Sequence, residues 1–190
     1  MTPLEIIATV LGVAGVWLMI RRSLWAFPVG IVQVVIFGWV CFGAQLYSET
    51  VLQGLFLGAL VHGWWHWTHP DRGQSERPIG RLADAARVTW GVGTIALWLA
   101  WGTAMDRWTD AAVPYADAFV FAVSAASQWL QARKLIENWP GWVAANTTAI
   151  VVFATRGLYL FAGLYLVFWG MAWWGWRAWA RAMAEGRRAA

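Results

Sequence analysis

The sequence predicts an all-α integral membrane fold of seven transmembrane helices, built as two parallel three-helix units joined by one connecting helix (3+1+3). Three observations carry that expectation. The 190 residues are 60% hydrophobic and only 13% charged, with a mean hydropathy of +0.51, whereas soluble domains carry about 25% charged residues. Apolar stretches long enough to cross a hydrocarbon layer of about 30 Å, at about 1.5 Å per helical residue, recur along the whole chain. The chain also repeats itself at a spacing of 112 residues, the separation of Ala14 from Ala126.

The spans fall at 4–20, 25–42, 50–67, 88–104, 114–131, 139–155 and 158–179. The first is not expected to be a cleaved signal, because Met1 to Leu4 carries no basic residue and no small-residue cleavage site precedes Arg21–Arg22. Arg21–Arg22, the polar stretch Thr68–Arg87 and Arg133–Lys134 interrupt the apolar runs. The Pro and Gly residues of the 68–87 stretch suit a flexible cytoplasmic linker. The units are then 4–67 and 114–179, with 68–113 holding the cytoplasmic loop, connector helix and outer loop, and 180–190 a basic cytoplasmic tail. One side of the spans receives Arg21, Arg22, Arg72, the arginines at 77–87, Arg133, Lys134 and the tail arginines up to Arg187 and Arg188. The other receives only Arg107 and Arg156. Basic loops stay in the cytoplasm, which places the N-terminus outside and the C-terminus inside.

The net charge of +4 does not imply nucleic-acid binding, since the arginines sit in short loops between spans rather than on one soluble face. The single cysteine, Cys41, lies in an apolar stretch and permits no disulfide framework. Lipid is the expected surrounding of this chain.

The repeat pairs Trp17 with Trp129, Arg21 with Arg133, Pro28 with Pro140, Leu46 with Leu158, Tyr47 with Tyr159 and Phe56 with Phe168. It ends on a shared Gly-Trp-x-x-Trp at Gly63–Trp67 and Gly175–Trp179. About a quarter of positions match without a gap, where apolar bias alone gives about a tenth. Three helices alone would leave the second copy inverted, and one added crossing restores its direction. Parallel repeats of this kind occur in SWEET-type carriers, with the site near mid-membrane between them. Proline at 28 and 140 would supply bending points for alternating access.

Polar side chains in hydrocarbon need a partner or a purpose. Gln33, Gln53, Ser124, Ser127, Gln128, Gln131, Asn146, Thr147 and Thr148 all lie inside spans. Ser124, Gln128 and Gln131 share one helix face, as do Trp139, Trp142 and Asn146. Two indoles and a carboxamide suit a flat ring with a polar substituent, and spacing alone leaves binding and packing both open. Single Ser and Thr residues are read as interhelical hydrogen bonders. Asp117 and Glu137 are read as helix-start carboxylates. His62, His66 and His69 have no Cys nearby, and no metal is assigned to them. No Ser-His-Asp set, phosphate loop or paired intramembrane carboxylates stand out, so neither catalysis nor a cofactor is expected, and passive carriage is the simpler reading.

Within residues 114–160, the stretch PYADAFVFAVSAASQWLQARKLIENWPGWVAAN resembles the PnuC family of bacterial vitamin transporters. The matching positions are Asp117, Ser124, Arg133, Lys134, Glu137, Asn138, Trp139, Trp142 and Asn146, with Gln53 and the Gly63–Trp64–Trp67 pattern in the first half. The resemblance implies a multi-pass protein of the bacterial inner membrane, able to assemble as a trimer. It implies facilitated diffusion of a vitamin precursor, nicotinamide riboside first, which a cytoplasmic kinase phosphorylates and traps. Trp139, Trp142, Asn146 and Gln53 would contact the ligand, with Gln128 and Asn138 as further contacts. The chain departs from nicotinamide riboside carriers at Leu60 and His62, where they often show Asn and Tyr, which keeps thiamine or riboflavin as alternatives. A non-transporting membrane protein is the remaining one.

Overall fold

The computed structural model describes residues 3–45, 47–71 and 76–189. Met1, Leu46 and Arg72, invoked above, lie outside the described residues, as do the side chains of Tyr47, Arg187 and Arg188. Seven helices form, with no strand among the described residues: α1 (Pro3–Ile20), α2 (Ala26–Gly43), α3 (Tyr47–Thr68), α4 (Asp84–Trp108), α5 (Pro114–Ala132), α6 (Asn138–Thr155) and α7 (Tyr159–Ala189). Each expected span lies within a helix or overlaps it to within a residue or two. The stretch set apart as a tail continues α7 as helix.

Taken singly, α1, α2 and α4 are long and apolar enough to cross a membrane. The outward faces are apolar too, with Leu4, Ile7 and Val10 on α1 and Val88, Val92 and Ile95 on α4 among the large exposed side chains. Water would penalise that surface and lipid does not.

The helices pack as a closed ring in the order α1, α2, α3, α5, α6, α7 and back to α1, while α4 packs on α5 alone among the described elements. At one end of the ring, which we term the basic end, two indoles tie the halves together. Trp67 Nε1 donates to the Ala132 carbonyl at 3.0 Å, and Trp179 Nε1 donates to the Met19 carbonyl at 3.3 Å. These acceptors sit in the last turns of α5 and α1; the Met19 carbonyl also accepts the Arg22 N–H at 3.0 Å, so the Trp179 bond uses its second lone pair. Beneath each indole lies an edge-on ring, Phe27 under Trp67 at 5.2 Å and Trp139 under Trp179 at 5.4 Å. Against each ring lies a glycine, Gly63 and Gly175 respectively. All three pairs are one repeat apart. So are the left-handed residues that turn the chain between helices, Arg22 with Lys134 and Gln45 with Gly157.

Residues 77–82 form a strap across the basic end. Gly80 exchanges backbone bonds with Lys134 and Ile136 (2.9 and 3.1 Å), and Leu82 N–H donates to Glu137 Oε1 at 3.2 Å. Arg77 donates to the carbonyls of His66 and His69. Lys134, only 3% exposed, donates to the Arg77 carbonyl at 2.5 Å and lies 4.6 Å over the Trp67 ring. Burial pulls its ammonium below the ordinary lysine range, against the opposing pull of the Glu76 carboxylate. The second half of the expected flexible linker is therefore tied down. Pro28 and Pro140 also depart from expectation: both stand in the first turn of their helices, where the N–H they lack has no acceptor to lose, so neither creates a bending point.

A methyl group added at Gly63 would lie 2.8 Å from the Phe27 ring and 3.0 Å from the Ala132 Cα. Gly63→Ala is expected to destabilise the fold by about 1–3 kcal/mol, read as a lower melting midpoint in detergent. Gly58→Ala, with nothing within 4 Å of the new methyl, should melt no lower than the parent.

Candidate functional site

The contacts fix the direction of the helices. Because Trp67 meets Ala132 and Trp179 meets Met19, helices α1, α3, α5 and α7 all finish at the basic end. Asp117 at the start of α5 pairs with Arg156 at the close of α6 (3.9 Å), so α6 runs the opposite way and the far end carries carboxylates.

Between the two ends, side chains meet inside the ring. Trp142 on α6 reaches Phe56 on α3, a helix it does not pack beside, in an edge contact of 5.9 Å. Its Nε1 donates to Gln131 Oε1 on α5 at 2.6 Å, which fixes the plane of the indole. Gln53 lies three residues before Phe56, Gln128 three before Gln131, and Asn146 four after Trp142 on the reversed helix. Each step is about one turn in the same direction. The carboxamides of Gln53, Gln128 and Asn146 therefore share a level one turn from the Trp142 contact, toward the carboxylate end.

These three residues are 7%, 7% and 6% exposed, and none makes a hydrogen bond to another described residue. None of their amide atoms is among the sealed side-chain atoms that lack a partner, so the amides keep access to the space between the helices. Three at one depth, beside an oriented indole, form a site able to hold a flat ring by its face and its polar substituents by hydrogen bonds.

The six residues expected from sequence thus divide. Gln53, Gln128, Trp142 and Asn146 come together. Trp139, 1% exposed, lies toward the basic end in the packing against Gly175 and Trp179, and Asn138 is fully buried beside it. Asn138 Nδ2 donates to the Leu135 carbonyl at 2.5 Å, while its Oδ1 and the Trp139 Nε1 are sealed with no partner. His62 stacks on Trp129 at 4.9 Å, and Leu60 is buried against Gly30 one turn below Phe56.

Two interior residues escaped the sequence reading. Tyr165 on α7 packs against Phe153 on α6 (5.3 Å) and Phe168 (6.2 Å), and Glu49 in the first turn of α3 lies on the same helix face as Gln53 and Phe56. The repeat pairs Tyr165 with Gln53, which was the available signal.

A sequence profile described as nicotinamide mononucleotide transporter matches residues 2–181. The chain belongs to that transporter family. Among its relatives, the nicotinamide riboside transporter PnuC of Escherichia coli (strain K12) is 25% identical over 207 residues, covering 96% of this chain and 87% of that one. The riboflavin/roseoflavin transporter RibM of Streptomyces davaonensis is 26% identical over 187 residues, covering 92% and 83%. The crystal structure of the vitamin B3 transporter PnuC superposes with a TM-score of 0.78 at 18% identity, over 96% of this chain and 82% of that chain. It shares the helical fold. Members of this transporter family, unlike enzymes, need a place to hold a substrate rather than a group to transform it, and no catalytic set is assigned.

With Asn146 unpartnered, Asn146→Leu should leave the melting midpoint of the unliganded protein unchanged or higher. Trp142→Phe strands the Gln131 oxygen and should lower stability by about 1–3 kcal/mol. The contrast is measured by parallel thermal melts.

Proposed function

We propose that this chain carries a ring-bearing vitamin precursor, nicotinamide riboside first, across the bacterial inner membrane by facilitated diffusion. A cytoplasmic kinase that phosphorylates the arriving substrate would supply the direction. The observation that carries this reading is the level of three unpartnered carboxamides, Gln53, Gln128 and Asn146, beside the oriented Trp142. A pyridine carboxamide offers one face to stack, an N–H donor and a C=O acceptor, and a ribose offers hydroxyls to the remaining amides.

Asn138 and Trp139 belong to the same proposed path at its basic-end edge. Their sealed carbonyl and indole N–H are groups that a substrate leaving toward that end would meet. The seven helices are read as seven crossings, in a 3+1+3 arrangement with the N-terminus outside and the basic end in the cytoplasm. The ring order and the one-repeat spacing of the indole, glycine and turn residues support two parallel units about an axis along the membrane normal.

Riboflavin is the second reading, favoured by the likeness to RibM and by Leu60, an apolar residue one turn below Phe56. A thermal-shift panel of nicotinamide riboside, riboflavin and thiamine separates these, since a ligand that binds only the folded state raises apparent stability by RT ln(1 + [L]/Kd). Nicotinamide riboside is expected to give the largest shift, with Trp142→Ala and Asn146→Leu weakening it about tenfold or more. A shift by riboflavin alone transfers the assignment to it. In liposomes, counterflow of labelled substrate without ATP or an ion gradient is expected; a requirement for either would refute facilitated diffusion.

A further inference from the structure

The carboxamide level has a roof. Glu49 stands four residues before Gln53, on the same face of α3 and one turn nearer the carboxylate end. It faces inward with Gln53 and Phe56, because Phe56, seven residues on along the same helix face, meets Trp142 across the ring. Asp117, at the start of α5, is paired with Arg156 at 3.9 Å. Glu49 itself has no cation within ion-pair distance among the described residues. A carboxyl group without an ion-pair partner among the described residues is therefore left at the mouth of the ring, one turn above Gln53, which is 7% exposed and makes no hydrogen bond to another described residue.

We propose that Glu49 selects for substrates whose ring carries a positive charge, by supplying the counter-charge when that ring lies among Gln53, Trp142 and Asn146. The inference rests on the carrier reading above and narrows it. A quaternised heteroaromatic ring such as a pyridinium, or by the same chemistry a thiazolium, meets an indole face and a carboxylate together. Both attract cations, and a neutral ring gains only the stacking. Hydrogen bonding alone does not distinguish the two, since the carboxamides read polar substituents irrespective of ring charge.

The test compares nicotinamide riboside with its reduced dihydro form, which keeps the ribose and carboxamide and loses the charge. Dissociation constants are measured on the purified full-length chain. The wild type is expected to favour the cation, and Glu49→Gln to reduce the ratio of affinities about tenfold or more, with Glu49→Asp restoring much of it. An unchanged ratio in Glu49→Gln, with both probes bound, overturns this inference and leaves the carrier reading intact. Binding of neither probe to the wild type overturns the nicotinamide riboside reading and this inference with it. Should Glu49→Gln not fold, Glu49→Ala is read in its place: a reduced ratio supports the role of Glu49, and an unchanged ratio, or parity of the two probes on the wild type, overturns it.

Discussion

Two indole N–H groups hold the ring of helices shut at its basic end. Trp67 and Trp179 each reach past their own three-helix unit to a backbone carbonyl in the last turn of the other unit's first helix. In hydrocarbon an unpaired indole N–H is costly, so each bond removes that penalty, and at Ala132 it also satisfies a helix-end carbonyl. The geometry depends on Gly63 and Gly175, whose missing side chains make room for Phe27 and Trp139. Small residues of this kind let helices approach closely where no hydrophobic force drives them together. From that closure follow the parallel course of α1, α3, α5 and α7 and the inward aim of residues a few turns above.

The interior is furnished unequally by the two halves. Gln128, Gln131, Trp142 and Asn146 on α5 and α6 have Val16, Met19, Gly30 and Val34 as their repeat counterparts. α3 answers with Gln53, whose repeat counterpart on α7 is Tyr165. The second unit thus supplies most of the polar chemistry and the first supplies most of the apolar wall. A ligand in such a site lies against one unit, and the other can move without breaking every contact.

The helices and the repeat were legible in the sequence because both rest on local signals: runs of apolar residues, and the spacing of Trp, Gly and Pro. The chemistry of individual side chains was partly legible. Trp142 and Asn146 were grouped from one helix face, and both turn inward. Trp139 shares that face by spacing, yet its neighbour Gly175 claims it for packing, a contact that depends on a helix far along the chain. Glu49 sits in the first turn of α3, where carboxylates often serve the helix dipole, so nothing local announced that it faces the ring. The strap was hidden for the opposite reason. Its Pro and Gly residues read as flexibility, and its anchors, Lys134 and Glu137, lie more than fifty residues away.

Those distant anchors bear on how the protein is made. Four ties at the basic end join residues far apart in the chain: Trp67 to Ala132, Gly80 to Lys134, Leu82 to Glu137, and Trp179 to Met19 across 160 residues. During synthesis the first three helices leave the ribosome with no partner for the Trp67 indole. The strap gains its hold only after α5 has emerged, and the ring closes only when α7 arrives. A chain released before α7 would lack the helix that closes the ring between α6 and α1.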